Sequence, residues 1–107
     1  MRLNVGLLGG GSWGTTVAAL ISRNAPVMLW ARDAQTVHEI NTDRQNSRYL
    51  AGYTLPATMR ATADMGEAVR GADVLVMGVP SQNFRSVLMD VRQHIRPWVP
   101  VISLTKG

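Results

Sequence analysis

Three glycines carry the most specific chemistry in this chain. Gly9, Gly11 and Gly14 occupy the fixed places of a G-x-G-x-x-G spacing, with Ser12 and Trp13 between the last two. The first glycine of such a turn permits a tight bend, the second lets backbone approach a pyrophosphate, and the third lets a helix pack close to a strand. A helix beginning near Ser12 would aim free N–H groups and the positive end of its dipole at the phosphates. A purely structural glycine turn is the competing reading. The context favours a dinucleotide, because the motif lies between an apolar strand and a helix at the start of a βαβ pattern. Arg32 stands 21 residues after Gly11, about where NAD-selective domains place an acid on the ribose 2′-OH. Arginine suits a 2′-phosphate and can stack on adenine, which favours NADPH; Asp33 beside it keeps NADH open. A solvated surface arginine is the plainer alternative.

Other chemically capable residues carry less. His38 and His94 fall on expected helices with no acid or second histidine at metal-ligand spacing, so they read as surface residues and no metal site is expected. Asp64 with Glu67 three residues on is a helix-capping pattern before it is an acid/base pair. Tyr49 and Tyr53 fit equally well as packing for a long loop or as a lid over a cofactor. No Ser/His/Asp nucleophile set can be assembled, and the absence of cysteine removes disulfides and thiolate chemistry and fits a reducing cytosol.

Alternating elements must position these residues. Arg2 to Leu8 is an apolar run of the kind buried on both faces of a parallel sheet. A helix follows the glycines, with Ser12 as its expected cap and Asn24 and Pro26 as its stop. Val27 to Trp30 reads as a second strand, and Asp33 opens a second helix with Val37 and Ile40 facing inward. Thr42 to Ala57 keeps no period and is longer than an ordinary connection, which marks it as a functional loop. Met59 to Thr62 is an edge-strand candidate, followed by a short helix from Asp64 to Arg70. Val74 to Val79 is a strong buried strand ended by Pro80. Ser81 to Ile95 carries Phe84, Val87, Leu88, Val91 and Ile95 in one helical stripe, and Val99 to Leu104 is a last strand.

Strands alternating with helices imply a parallel sheet with right-handed crossovers, a doubly wound α/β layer. No helix follows the last strand, so the sheet is expected to be incomplete at its C-terminal edge and the chain to be the front part of something larger. With 107 residues, 46% hydrophobic and 17% charged, it holds one domain at most and enough apolar surface for a core. Eleven Lys and Arg against seven Asp and Glu give a net charge of +4, and Lys106 is the single lysine. The arginines are dispersed from Arg2 to Arg96 without a basic stripe, which argues against nucleic acid. Gly9 to Ser12 break the N-terminal apolar stretch, so neither a signal peptide nor a membrane anchor is expected.

Taken together, Gly9-Gly-Gly-Ser-Trp-Gly14, Leu29-Trp-Ala-Arg32, Asn46-Ser-Arg-Tyr-Leu50, Leu55-Pro56, Val79-Pro-Ser81 and Thr105-Lys-Gly107 resemble the N-terminal half of bacterial NAD(P)-dependent glycerol-3-phosphate dehydrogenases. The resemblance runs the whole length of the chain. It implies that residues 1–107 form the N-terminal part of a Rossmann-type domain for NADP or NAD, with a helical substrate domain outside this chain. The implied reaction is reversible reduction of dihydroxyacetone phosphate to sn-glycerol 3-phosphate for phospholipid synthesis, in the cytoplasm. The resemblance leaves a homodimer of the full-length protein open. By position, it assigns Ser12 and Trp13 to the cofactor loop and Arg32 to the ribose-phosphate side, and it adds Tyr49 and Pro80 to the cofactor site. Lys106 corresponds to a lysine touching both cofactor and substrate, and the base-type lysine would lie beyond residue 107. A cation at the carboxyl end of a parallel strand suits that place, since open α/β sheets bind ligands there. Two departures stand out: Gly10 where alanine is usual, and Asp33 where a second basic residue often helps hold the 2′-phosphate.

Two other readings compete. One is a free-standing dinucleotide-binding module without catalysis; the other is the Rossmann half of a different dehydrogenase, of the ketopantoate or hydroxyacyl-CoA type.

Overall fold

The computed structural model describes residues 3–9 and 11–104, excluding the side chain of Ser81. Lys106, the expected substrate-side cation, lies outside the described residues, as do Gly10 and Arg2. The elements run β1 (Val5–Leu8), α1 (Ser12–Ile21), β2 (Val27–Trp30), α2 (Ala34–Asp43), β3 (Met59–Thr62), α3 (Met65–Arg70), β4 (Val74–Met77), α4 (Ser81–Val91) and β5 (Val101–Ser103). The sheet order is β3-β2-β1-β4-β5, parallel throughout. The chain therefore winds outward from β1 to β3, crosses back, and winds the other way from β4 to β5. This is the doubly wound α/β fold, with its topological switch point between β1 and β4.

Both faces of the sheet are covered because the strands are apolar on both. Val5, Leu7, Val27, Leu29 and Val76 point to one side and pack with Ala18 and Ala19 of α1 and Ile40 of α2. Leu8, Trp30, Leu75 and Met77 point to the other and meet Ala68 and Val69 of α3 and Val87 and Val91 of α4. Alternation along each strand assigns each side chain to its layer. Gly6 breaks the apolar run for a reason of space, since a Cβ there would lie 2.6 Å from the Ala68 carbonyl oxygen. Truncating a fully buried member such as Leu7 is expected to cost about 2–5 kcal/mol.

Several ends differ from the sequence expectation. The first helix is capped by Gly11 without a side-chain bond, so Ser12 is its first residue and not its cap; it stops at Ile21, ahead of Asn24 and Pro26. The last helix ends at Val91, and residues 92–95 continue as turns, with the Ile95 N–H donating to the Val91 carbonyl. Asp64 caps α3 by accepting from the Gly66 N–H at 2.9 Å, but the reciprocal half of a capping box is supplied from elsewhere: the Asp64 N–H donates to Thr62 Oγ1.

The edges are handled differently. At β3, the Asn41 side chain donates to the Ala61 carbonyl at 2.9 Å and accepts from its N–H at 2.8 Å, satisfying backbone that no strand pairs. At β5, Val101, Ile102 and Ser103 are all exposed, with β4 as their partner on one side. No helix among the described residues is long and apolar enough to cross a membrane.

Candidate functional site

The carboxyl ends of the central strands meet at the glycine turn. The Gly9 N–H donates to the Trp30 carbonyl at 2.9 Å, and the Gly78 N–H donates to the Leu8 carbonyl at 2.7 Å. Gly9 has φ of +125°, a conformation open to glycine, and a Cβ there would lie 2.5 Å from the Gly78 carbonyl oxygen. At Gly14 a Cβ would collide with the carbonyl oxygen of Gly9, so this glycine lets α1 begin directly against the turn. Gly11 is different, because an added Cβ would meet nothing within 4 Å. No packing among the described residues requires glycine there, whereas a ligand lying against the bare backbone would.

Charge at the helix ends follows the same division. Asp33 caps α2 and Asp64 caps α3 with their carboxylates. By contrast, α1 and α4, the two helices that leave the switch point, have no side-chain cap and no acid in their first turns. Their positive ends are left for an anion, where aligned N–H groups and dipoles favour phosphate.

Beside the turn lies a cleft of about 260 Å³ lined by Gly9, Gly11, Trp30, Arg32, Arg48 and Tyr49, among others. This is below the roughly 300–1,000 Å³ of an enclosed ligand site, so it offers room for one end of a dinucleotide, the rest lying along the open crevice. The Arg32 guanidinium carbon sits 5.4 Å from the centroid of the Trp30 ring. That ring is itself fixed by its indole N–H, which donates to the Ala63 carbonyl at 3.1 Å. The stacking holds a cation at the end of β2. Asp33 is occupied: Oδ1 accepts from the Gln35 N–H and Oδ2 from the Thr36 hydroxyl, each at 3.0 Å.

The long loop supplies one wall. Arg44 ends α2 in the left-handed region, with φ of 59°, and donates from its side chain to the Met59 carbonyl at 3.0 Å. The Leu50 N–H then donates to the Asn46 carbonyl at 2.7 Å, closing a turn that brings Arg48 and Tyr49 to the cleft. The two loop tyrosines separate here. Tyr49 lines the cleft, whereas the Tyr53 hydroxyl accepts from Arg23 at 3.4 Å, away from it.

Of the residues expected at a cofactor site, Gly9, Gly11, Arg32 and Tyr49 line one cleft. Ser12, Trp13 and Gly14 form the first turn of α1 next to it, with Trp13 60% exposed, and Pro80 precedes α4 across the switch point. Lys106 cannot be placed among the described residues. His38 and His94 are exposed on the surface. Sequence reasoning missed Thr36, Arg48 and Val79 as lining residues. Of these, Arg48 alone carried a signal, its place next to Tyr49 in the long loop.

A doubly wound parallel sheet, a G-x-G-x-x-G turn at its switch point and two helices that leave this point without side-chain caps define a Rossmann-type nucleotide-binding domain. Residues 4–107 match the family model described as NAD-dependent glycerol-3-phosphate dehydrogenase N-terminus, and the chain belongs to that family. It is 72% identical over all 107 residues to glycerol-3-phosphate dehydrogenase [NAD(P)+] 2 of Sphingopyxis alaskensis, of which it covers 32%. Over 94% of its length it is 54% identical to glycerol-3-phosphate dehydrogenase [NAD(P)+] 1 of Mycobacterium bovis, of which it covers 30%. The crystal structure of glycerol-3-phosphate dehydrogenase from Coxiella burnetii superimposes with a TM-score of 0.92 at 31% identity, over 99% of this chain and 33% of that one. The chain thus spans about a third of the length of these relatives.

Proposed function

We propose that this chain is the cofactor-binding part of an NAD(P)H-dependent glycerol-3-phosphate dehydrogenase, which reduces dihydroxyacetone phosphate to sn-glycerol 3-phosphate reversibly for phospholipid synthesis. The observation that carries the reading is the family match over residues 4–107 on a chain whose glycine turn lies at the switch point of the sheet. Residues 1–107 are the N-terminal part of the NAD(P)-binding domain, and a helical domain elsewhere in the natural protein supplies the rest of the substrate site.

The residues present fit the cofactor. Gly9 and Gly11 leave backbone bare for the pyrophosphate, and Gly14 brings the α1 N–H groups of Ser12 and Trp13 up to it. Arg32 faces the adenosine ribose, Tyr49 walls the adenosine end, and Pro80 starts the helix on the other side of the crevice. When bound, NADPH or NADH supplies the hydride. Lys106, which follows β5 in sequence, corresponds to the family's lysine between nicotinamide and substrate, where a cation would stabilise charge developing on the carbonyl oxygen. The base-type lysine belongs to the part of the protein outside residues 1–107.

The test is the natural protein's oxidation of NADPH with dihydroxyacetone phosphate present. Turnover that depends on both compounds, and that falls on the order of a hundredfold in Lys106→Ala, is the expected result. Reduction of a different carbonyl with dihydroxyacetone phosphate inert would end the substrate assignment.

A further inference from the structure

Arg48 belongs to the polar run at 43–48, and it lines the same cleft as Arg32. Its guanidinium carbon is 5.3 Å from the centroid of the Tyr49 ring, and its Nη1 lies 3.8 Å from Asp33 Oδ2. Because Asp33 directly follows Arg32, the loop brings a second guanidinium to the end of β2, 16 residues away in sequence from the first.

Charge makes that second cation matter. A 2′-phosphate arriving beside Arg32 also meets the Asp33 carboxylate, which repels it. One arginine against one aspartate leaves no net attraction; two arginines do. Arg48 is also available for the task. Both Asp33 oxygens already serve the start of α2 through Gln35 and Thr36, and the contact to Arg48 is long, between side chains 67% and 46% exposed. Exposed pairs of this length contribute little. A phosphate dianion offers the guanidinium shorter, paired, charge-assisted hydrogen bonds, so exchange of Asp33 for phosphate is favourable.

Given the cofactor reading of this cleft, we infer that Arg48 is a specificity-determining residue: with Arg32 it grips the 2′-phosphate of NADPH, offsets Asp33, and sets the preference for NADPH over NADH.

The probes are 2′,5′-ADP and 5′-AMP, which differ only by the 2′-phosphate, titrated calorimetrically into the natural protein at fixed ionic strength. Arg48→Gln is expected to weaken 2′,5′-ADP about tenfold or more while leaving 5′-AMP within about twofold, and Arg48→Lys to recover part of the loss. Unchanged 2′,5′-ADP affinity in Arg48→Gln, with Arg32→Gln still weakening it, overturns the role of Arg48 and leaves the cofactor reading standing. An equal loss for both probes makes Arg48 a loop-stabilising residue and also overturns it. If the natural protein binds neither NADPH nor NADH, the cofactor reading falls and the inference with it.

Discussion

Asn46 Nδ2 donates a 2.9 Å hydrogen bond to Thr15 Oγ1, and both residues are fully buried. The bond joins residues 31 apart in sequence, one in the long loop and one in the first turns of α1. It ties the wall that carries Arg48 and Tyr49 to the helix that the glycine turn begins. The two halves of the cleft are therefore set relative to each other by a side-chain contact as well as by the sheet.

Removing that tie should be felt in both stability and binding. Asn46→Ala removes a buried side-chain hydrogen bond and is expected to cost about 1–3 kcal/mol. It should also weaken NADPH binding, whereas Thr15→Ser, which keeps the hydroxyl, should stay close to the natural protein in both. Thermal melts and fluorescence titrations check this. Asn46→Ala with lowered stability and unaltered affinity would show that the loop holds its place without the bond.

The three motif glycines should respond differently to alanine. Gly14→Ala forces a Cβ against the Gly9 carbonyl, and Gly9→Ala forces one against Gly78 and adds about 1–3 kcal/mol of backbone strain at φ of +125°, so both are expected to lower stability. Gly11→Ala meets no protein atom. It should leave the melting temperature nearly unchanged and weaken NADPH and NADH alike. A Gly11→Ala protein that binds cofactor normally would remove the backbone of Gly11 from the site.

In the proposed site Arg32, and not Asp33, is expected to read the nucleotide. Arg32→Asp should raise the dissociation constant for NADPH by at least about tenfold more than that for NADH, since the new carboxylate repels the 2′-phosphate and accepts from a 2′-OH. An equal loss for the two cofactors would mean that Arg32 supports the Trp30 platform and makes no contact with the phosphate.

Local patterns carried most of the fold. Val27 to Trp30 opens after Pro26 and Met59 to Thr62 after Thr58, and the structure places β2 and β3 at the expected bounds. Asp33 and Asp64 read as caps because capping is a contact within three residues, and both cap their helices. The glycine turn was legible because its three glycines keep a fixed spacing, although only Gly14 answers a steric demand from within the turn, Gly9 being held against Gly78 and Gly11 against no described residue. The loop at 44–58 was not, for its order comes from distant partners: Asn46 to Thr15, Arg44 to Met59, and Thr58 Oγ1 to the Ser22 carbonyl. No period or propensity encodes such contacts.

In the proposed complex the cleft at the ends of β1, β2 and β4 holds the adenosine end of the cofactor and the glycine turn its pyrophosphate. Amide hydrogen exchange of the natural protein, with and without saturating NADPH, tests it most directly. Slowed exchange is expected at 9, 11–16, 31–36 and 46–50. The groove at the opposite end of the sheet, lined by Asn4, Met28, Arg60 and Glu67, should exchange at the same rate in both conditions. Protection at that groove, with none at the glycine turn, would contradict it.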